Sequence, residues 1–179
     1  MNDSVTRALV YGAVAAVSAL ITALALMPKP GAKPQIGWRI IRPSRMHWTG
    51  VLLGGGLVGL FAHVRLFVGS SRPDAESQMS ILFWLIIAFT LGILAVGSSM
   101  ARIYRQGARW SGKTISFFDG KKPVSYDFAD VTRMRATAFG SALIEFRDGA
   151  RLSLDTYATS AEDLIGKLGD HLKGRTPEA

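Results

Sequence analysis

Apolar residues fall into three long blocks before residue 100 and into short alternating runs after it, so two hydrophobic periodicities divide the chain. Residues 8–27, about 48–68 and 81–100 each approach the roughly 20 apolar positions a helix needs to cross about 30 Å of hydrocarbon. The first and third blocks hold no charged residue. Three transmembrane helices are therefore predicted, forming a membrane half over residues 1–101. The second block contains Gly54-Gly55-Gly56, which would weaken a helix in water but costs less in lipid, where no solvent competes for the backbone.

From Gly107 onward the runs are short and alternate. TISFF is followed by Asp119-Gly120, and SALIEFR by Asp148-Gly149 and then ARLSLD; Asp-Gly between alternating runs predicts a hairpin. In the second hairpin Ala142, Ile144 and Phe146 share one face, which Leu152 and Leu154 can meet from the returning strand. A C-terminal helix completes the layer. Ser160 and Asp163, or Thr159 and Glu162, have capping-box spacing, Leu164, Ile165, Leu168 and Leu172 make one face, and Gly174 is the expected stop.

The order TISFFDG, FADVTRMRATAF, ALIEFRDGARLSL and SAEDLIGKLGDHL, over roughly residues 107–173, resembles the bacterial pleckstrin-homology-like domains. That resemblance implies a bent antiparallel barrel plugged at one end by the terminal helix, although the runs supply about five or six strands where the full fold has seven. The expected fold class is α+β. Three membrane helices are followed by a small barrel-like cytoplasmic domain over residues 102–174 and a tail at 175–179. In eukaryotic relatives, basic residues around the first hairpin bind inositol phosphates. Lys113, Lys121 and Lys122 occupy that region here, beside Asp119 and Asp127, and read as a solvated loop.

Composition fits a membrane chain, with 49% hydrophobic and 19% charged residues. The net charge of +8 is placed unevenly. Residues 28–46 carry Lys29, Lys33, Arg39, Arg42 and Arg45 without an acid, and residues 102–113 carry Arg102, Arg105, Arg109 and Lys113, whereas residues 114–155 hold six charges of each sign. Positive loops stay on the cytoplasmic side, so the expected topology in a bacterial inner membrane is N-terminus outside and C-terminal domain inside. Cations at that face attract anionic headgroups. Lys29, Lys33, Arg39, Arg42, Arg45, Arg102 and Arg105 are accordingly the expected lipid contacts, and nucleic-acid binding is not needed to explain the charge. A cleaved signal peptide ending near Ala23 and Ala25 is the rival for the first block, but its single basic residue, Arg7, is offset by Asp3.

No catalytic constellation emerges. Zero cysteines exclude thiolate metal sites and a Cys nucleophile. His47 and His63 would lie about 24 Å apart along one helix and cannot share a haem iron. Ser153 with Asp155, and Ser160 with Asp163 and His171, read as a strand edge and a helix cap rather than as hydrolytic sets. No acid lies between Arg7 and Asp74, which argues against proton-coupled transport. A non-enzymatic protein without cofactor or metal is expected.

The remaining signal is helix packing. Helices in lipid associate through small residues. Gly50 with Gly54, Gly55 with Gly59, Gly12 with Ala16 and Ala88 with Gly92 all have that spacing, and successive glycines at 54–56 open several sides of one helix. The expected function is an accessory or scaffold subunit docking on other integral membrane subunits, such as those of a respiratory or photosynthetic complex, or on a second copy. The alternative is an anionic-lipid-binding or lipid-handling protein, in which Trp38, Ile40, Ile41 and Trp48 interleave with arginines at the interface. Arg65 and His63 are expected to snorkel near the outer helix end.

Overall fold

The computed structural model describes residues 3–27, 37–71, 73–137 and 140–174, which form two compact units. One draws on Met1–Met27 and His47–Ser98, the other on Pro28–Met46 and Ser99–Ala179.

The first unit is helical. Helix α1 spans Asp3–Leu26, α2 spans Arg45–His63 and continues through a π-turn at Val64–Val68, and α3 spans Ala75–Gln106. All three are long and apolar enough to cross a membrane. Each buries one narrow stripe at three- and four-residue steps: Val10, Ala13 and Val17 on α1, Val51, Gly54 and Val58 on α2, Phe83, Ile86, Thr90 and Ile93 on α3. That spacing aligns one face per helix for packing against its neighbours. Outside the stripe, Leu53, Trp84 and Leu91 are more than 60% exposed, the opposite of a water-soluble bundle. Thr90 returns its hydroxyl to the Ile86 carbonyl at 2.7 Å, so the buried polar group is satisfied within its own helix.

The second unit is an α+β domain. Strands β1 (Arg39–Ile40), β2 (Arg109–Ser111), β3 (Thr114–Phe118) and β4 (Pro123–Asp127) form one antiparallel sheet in that order. Strands β5 (Val131–Ala136), β6 (Ser141–Phe146) and β7 (Arg151–Asp155) form the other, and helix α4 (Ala161–Lys173) follows. Both Asp-Gly hairpins are present. The Asp119 side chain accepts from the Lys121 and Lys122 amides at 2.7 and 2.8 Å, and Asp148 accepts from the Ala150 amide at 3.0 Å. Register pairs Ala142 with Leu154 and Ile144 with Leu152, and Leu164 and Leu168 of α4 bury against the same core. A closed barrel is not formed.

Among the described residues seven strands stand where the alternating runs showed five or six, because one comes from elsewhere in the chain. Strand β1 lies in the segment between α1 and α2, pairing Arg39 with Trp110 and Ile40 with Arg109. Ile41 donates its amide to the Ala108 carbonyl at 2.9 Å and is 2% exposed in the domain core. Residue 42 forms a further bridge, to Thr159. At its other end the domain takes in the last turns of α3, where Ile103 is buried and Ser99 donates to Asp155 at 2.6 Å.

The expected capping box at α4 does not form. Ser160 sits in the left-handed region with φ 63° and makes no side-chain cap. Its carbonyl instead accepts the Trp110 indole N–H at 3.3 Å, and Asp163 is drawn to Arg39. A capping box does appear at Asp127 and Asp130, closing the short 3-10 turn Phe128–Asp130 that joins the two sheets.

Candidate docking surfaces

The small residues of α2 are divided between its neighbours and open space. An added Cβ at Gly54 would lie 2.9 Å from Ile93 of α3, and one at Gly55 would lie 3.2 Å from Ile21 of α1. These two glycines are therefore consumed by packing within the unit, because only a missing side chain lets the backbones approach. A third such position, Gly97 on α3, would place a Cβ 2.5 Å from Leu20 of α1. The small-residue spacing did not single out Gly97; it follows from the buried stripe of α3 seven residues after Thr90.

An added Cβ at Gly50, Gly56, Gly59, Gly12 or Gly92 would meet nothing within 4 Å beyond its own helix. Ala88 is exposed and Ala16 half-buried. Gly50, Gly54, Ala88 and Gly92 come together with Leu53 and Val96 along an open-sided groove of about 470 Å³ between α2 and α3, lined wholly by apolar residues and glycine. Gly12 and Ala16 lie on α1, and Gly59 does not line the groove.

The basic residues separate into two groups. Arg39 pairs with Asp163 and stacks 5.1 Å from the centre of the Trp110 ring, whose surroundings also include the Lys167 ammonium at 4.8 Å. Arg109 lies 4.9 Å from the Trp38 ring. These cations hold the start of the domain together through cation–π contacts. Arg42, Arg45, Arg102 and Arg105 are exposed and lie in the same unit. Lys29 and Lys33 fall outside the described residues.

The sets considered for chemistry do not converge. Ser160 and His171 stand at opposite ends of α4, about 16 Å apart at the helical rise. The His171 ring packs edge-on against Phe128, and its Nε2 is enclosed without a hydrogen-bond partner. Asp155 is engaged with Ser99 and with the Tyr157 amide. Among the described residues, no three His, Asp or Glu side chains group closely enough to hold a metal ion.

Polar contacts alter titration at two sites. Tyr126 donates its hydroxyl to Asp148, which lifts the phenol to about 12 and holds the carboxyl below its ordinary value. The Lys122 and Lys121 amides lower Asp119 in the same way.

At the far end of α2 the π-turn closes with the Gly69 amide on the Val64 carbonyl at 2.9 Å. Arg65 lies within it, partly exposed, with its Nε enclosed and without a hydrogen-bond partner. His63 stacks on Phe67 at 5.4 Å.

No family model matches the chain, and no curated protein or solved structure is significantly similar to it.

Proposed function

We propose that this chain is a membrane-anchored docking protein, a non-enzymatic accessory subunit that receives a transmembrane helix of a partner complex in the α2–α3 groove. The observation that carries this reading is the groove itself, whose floor of Gly50, Ala88 and Gly92 leaves backbone open to close approach. Lipid chains fill such a surface less closely than a helix bearing small residues of its own, and dispersion falls steeply with separation. The β domain is read as pleckstrin-homology-like: its two antiparallel sheets and terminal helix support that reading, with β1 supplied from the segment between α1 and α2. Its cytoplasmic placement in a bacterial inner membrane rests on the basic residues beside α2 and α3.

Replacing Gly50 and Gly92 by Leu fills the groove without touching Gly54 or Gly55. Purification from native membranes followed by mass spectrometry should show a stoichiometric membrane partner with the natural chain and its loss from the variant. A partner retained by the variant, or none with either protein, would count against the reading.

Exposure of Arg42, Arg45, Arg102 and Arg105 in one unit supports a second reading, engagement of anionic lipid. Charge removal at these four positions would then weaken retention of phosphatidylglycerol through purification, while leaving partner association intact.

A further inference from the structure

The six positive and six negative charges of residues 114–155 cancel along the sequence but not across the surface. Register places Arg133 opposite Glu145 and Glu145 opposite Arg151, with Arg135 opposite Leu143 and Leu143 opposite Ser153. Strand alternation puts these six residues on the face of the β5–β6–β7 sheet away from Ile144, Leu152 and Leu154. Three arginines thus surround one acid. Glu145 is held by Arg135 at 2.7 Å and by Arg151 at 3.5 Å, and its own side chain is only 20% exposed. The guanidinium-bearing side chains are 47% and 67% exposed, and Arg133 is exposed beside them. Half-buried Leu143 supplies an apolar spot within this rim.

We infer that this arginine face is a docking surface for an acidic polypeptide segment, one presenting two or more Asp or Glu side chains. The geometry for carboxylate recognition is already present, since Glu145 occupies Arg135 and Arg151 as a guest carboxylate would. One internal acid on β6 cannot neutralise three arginines on the two strands flanking it, β5 and β7, about 10 Å apart. A partner's carboxylates meet Arg133, which has no ion-pair partner among the described residues, first and then compete with Glu145 for the other two.

A bilayer is the poorer fit. The sheet meets the emerging end of α3 at Asp155, through Ser99. The Arg133–Glu145–Arg151 row lies four residues further along the strands from the Ser141–Asp155 row, about 13 Å away. The end of the face nearest Ser99 carries Asp155, an acid that anionic headgroups repel. This surface extends the docking reading and is tested with the α2–α3 groove untouched, so either can fail alone.

The test uses the full chain in neutral-lipid nanodiscs, with a fluorescent ten-residue polyglutamate as probe. Binding should weaken with salt and fall about tenfold in Arg133→Ala/Arg151→Ala, at three- to fivefold per exposed charge pair. Glu145→Gln, which releases both arginines, should tighten it at least about twofold. Lys121→Ala/Lys122→Ala, on the first hairpin, should leave it unchanged. Equal polyglutamate binding by natural chain and arginine variant, or weaker binding by Glu145→Gln, would overturn the assignment. So would capture of phosphatidylglycerol vesicles in preference to the peptide, lost in the same arginine variant, which would make the face a membrane contact.

Discussion

Ile41 offers the sharpest test of how the β domain is built. It lies between two predicted membrane helices, in a segment whose basic residues mark it as a loop, yet its side chain is sealed among Trp110, Leu164 and the other core residues. Truncation to Ala removes three buried carbons and leaves the Ile41–Ala108 backbone hydrogen bond in place, so the change isolates packing. Ile-to-Ala substitutions at well-packed sites cost about 2–5 kcal/mol, and a residue buried to 2% belongs near the middle, about 3 kcal/mol. For a domain of this size each kcal/mol moves the melting midpoint by about 4–8 °C, giving a fall of roughly 12–24 °C. Proteolysis of the full chain in detergent across a temperature series, following loss of the fragment containing β2–β7, reads this midpoint. Arg39→Ala, two residues away, is the control: it loses an ion pair with Asp163, which is more than half exposed, and a cation–π contact with Trp110, each contributing at most about 1 kcal/mol. A shift under about 3 °C for Ile41→Ala, or one no larger than that of Arg39→Ala, would refute the placement of this segment in the domain core.

Gly97→Val should lower the thermal midpoint of the helical unit, followed by size exclusion after heating, because its side chain would overlap Leu20; adding Leu20→Ala should recover part of the loss, and strictly additive effects would contradict the contact. Gly12→Ala and Gly59→Ala, facing open space, should be tolerated in the same assay. Tyrosinate absorbance should show a transition near 12 that disappears in Tyr126→Phe and moves toward 10 in Asp148→Ala. Since the folded phenol is raised, its stabilising contribution is complete below about 10 and is lost as pH climbs toward 12. Asp119 and Asp148 are lowered, so theirs is complete above about 4 and is lost as pH falls through the depressed folded values.

The parts of this fold that were legible in sequence are those fixed by local pattern. Apolar length gave the three helices, Asp-Gly the two hairpins, and the 3–4 spacing of Leu164, Ile165, Leu168 and Leu172 the face of α4. Strand β1 was hidden because two residues cannot display an alternation; only pairing with residues 109 and 110, distant in the chain, makes Arg39–Ile40 a strand. The same distance concealed the fate of Ser160, whose side chain lost its cap once its carbonyl and Asp163 found partners on β2 and β1. Among the small residues, the sequence could mark Gly54 and Gly55 as close-approach positions but could not assign them to α3 and α1, because both spacings serve internal and external packing equally. Counting charge over residues 114–155 likewise hid the arginine face, which is a property of strand register.

Connectivity makes the β domain a reporter of membrane topology. Strand β1 precedes α2 and β2 follows α3, so the sheet joins only if the α2–α3 pair leaves from and returns to one side. For spanning helices, the β domain is then incomplete until that hairpin is inserted, and a half-inserted pair would leave Ile41 and Trp110 on opposite faces of the membrane. The chain has no native cysteine, so single introduced thiols read this directly. Arg45→Cys, at the start of α2, and Lys121→Cys, in the first hairpin, are both exposed and belong to the same unit; Glu76→Cys lies exposed at the start of α3. With a membrane-impermeant maleimide on intact cells, the first two should remain unlabelled until the membrane is opened, whereas Glu76→Cys should label at once. The direction of that result tests the basic-side orientation, and the agreement of residues 45 and 121 tests the strand pairing. Labelling of Arg45→Cys and Lys121→Cys from opposite sides would be incompatible with Ile40 beside Arg109, whatever the orientation of the whole.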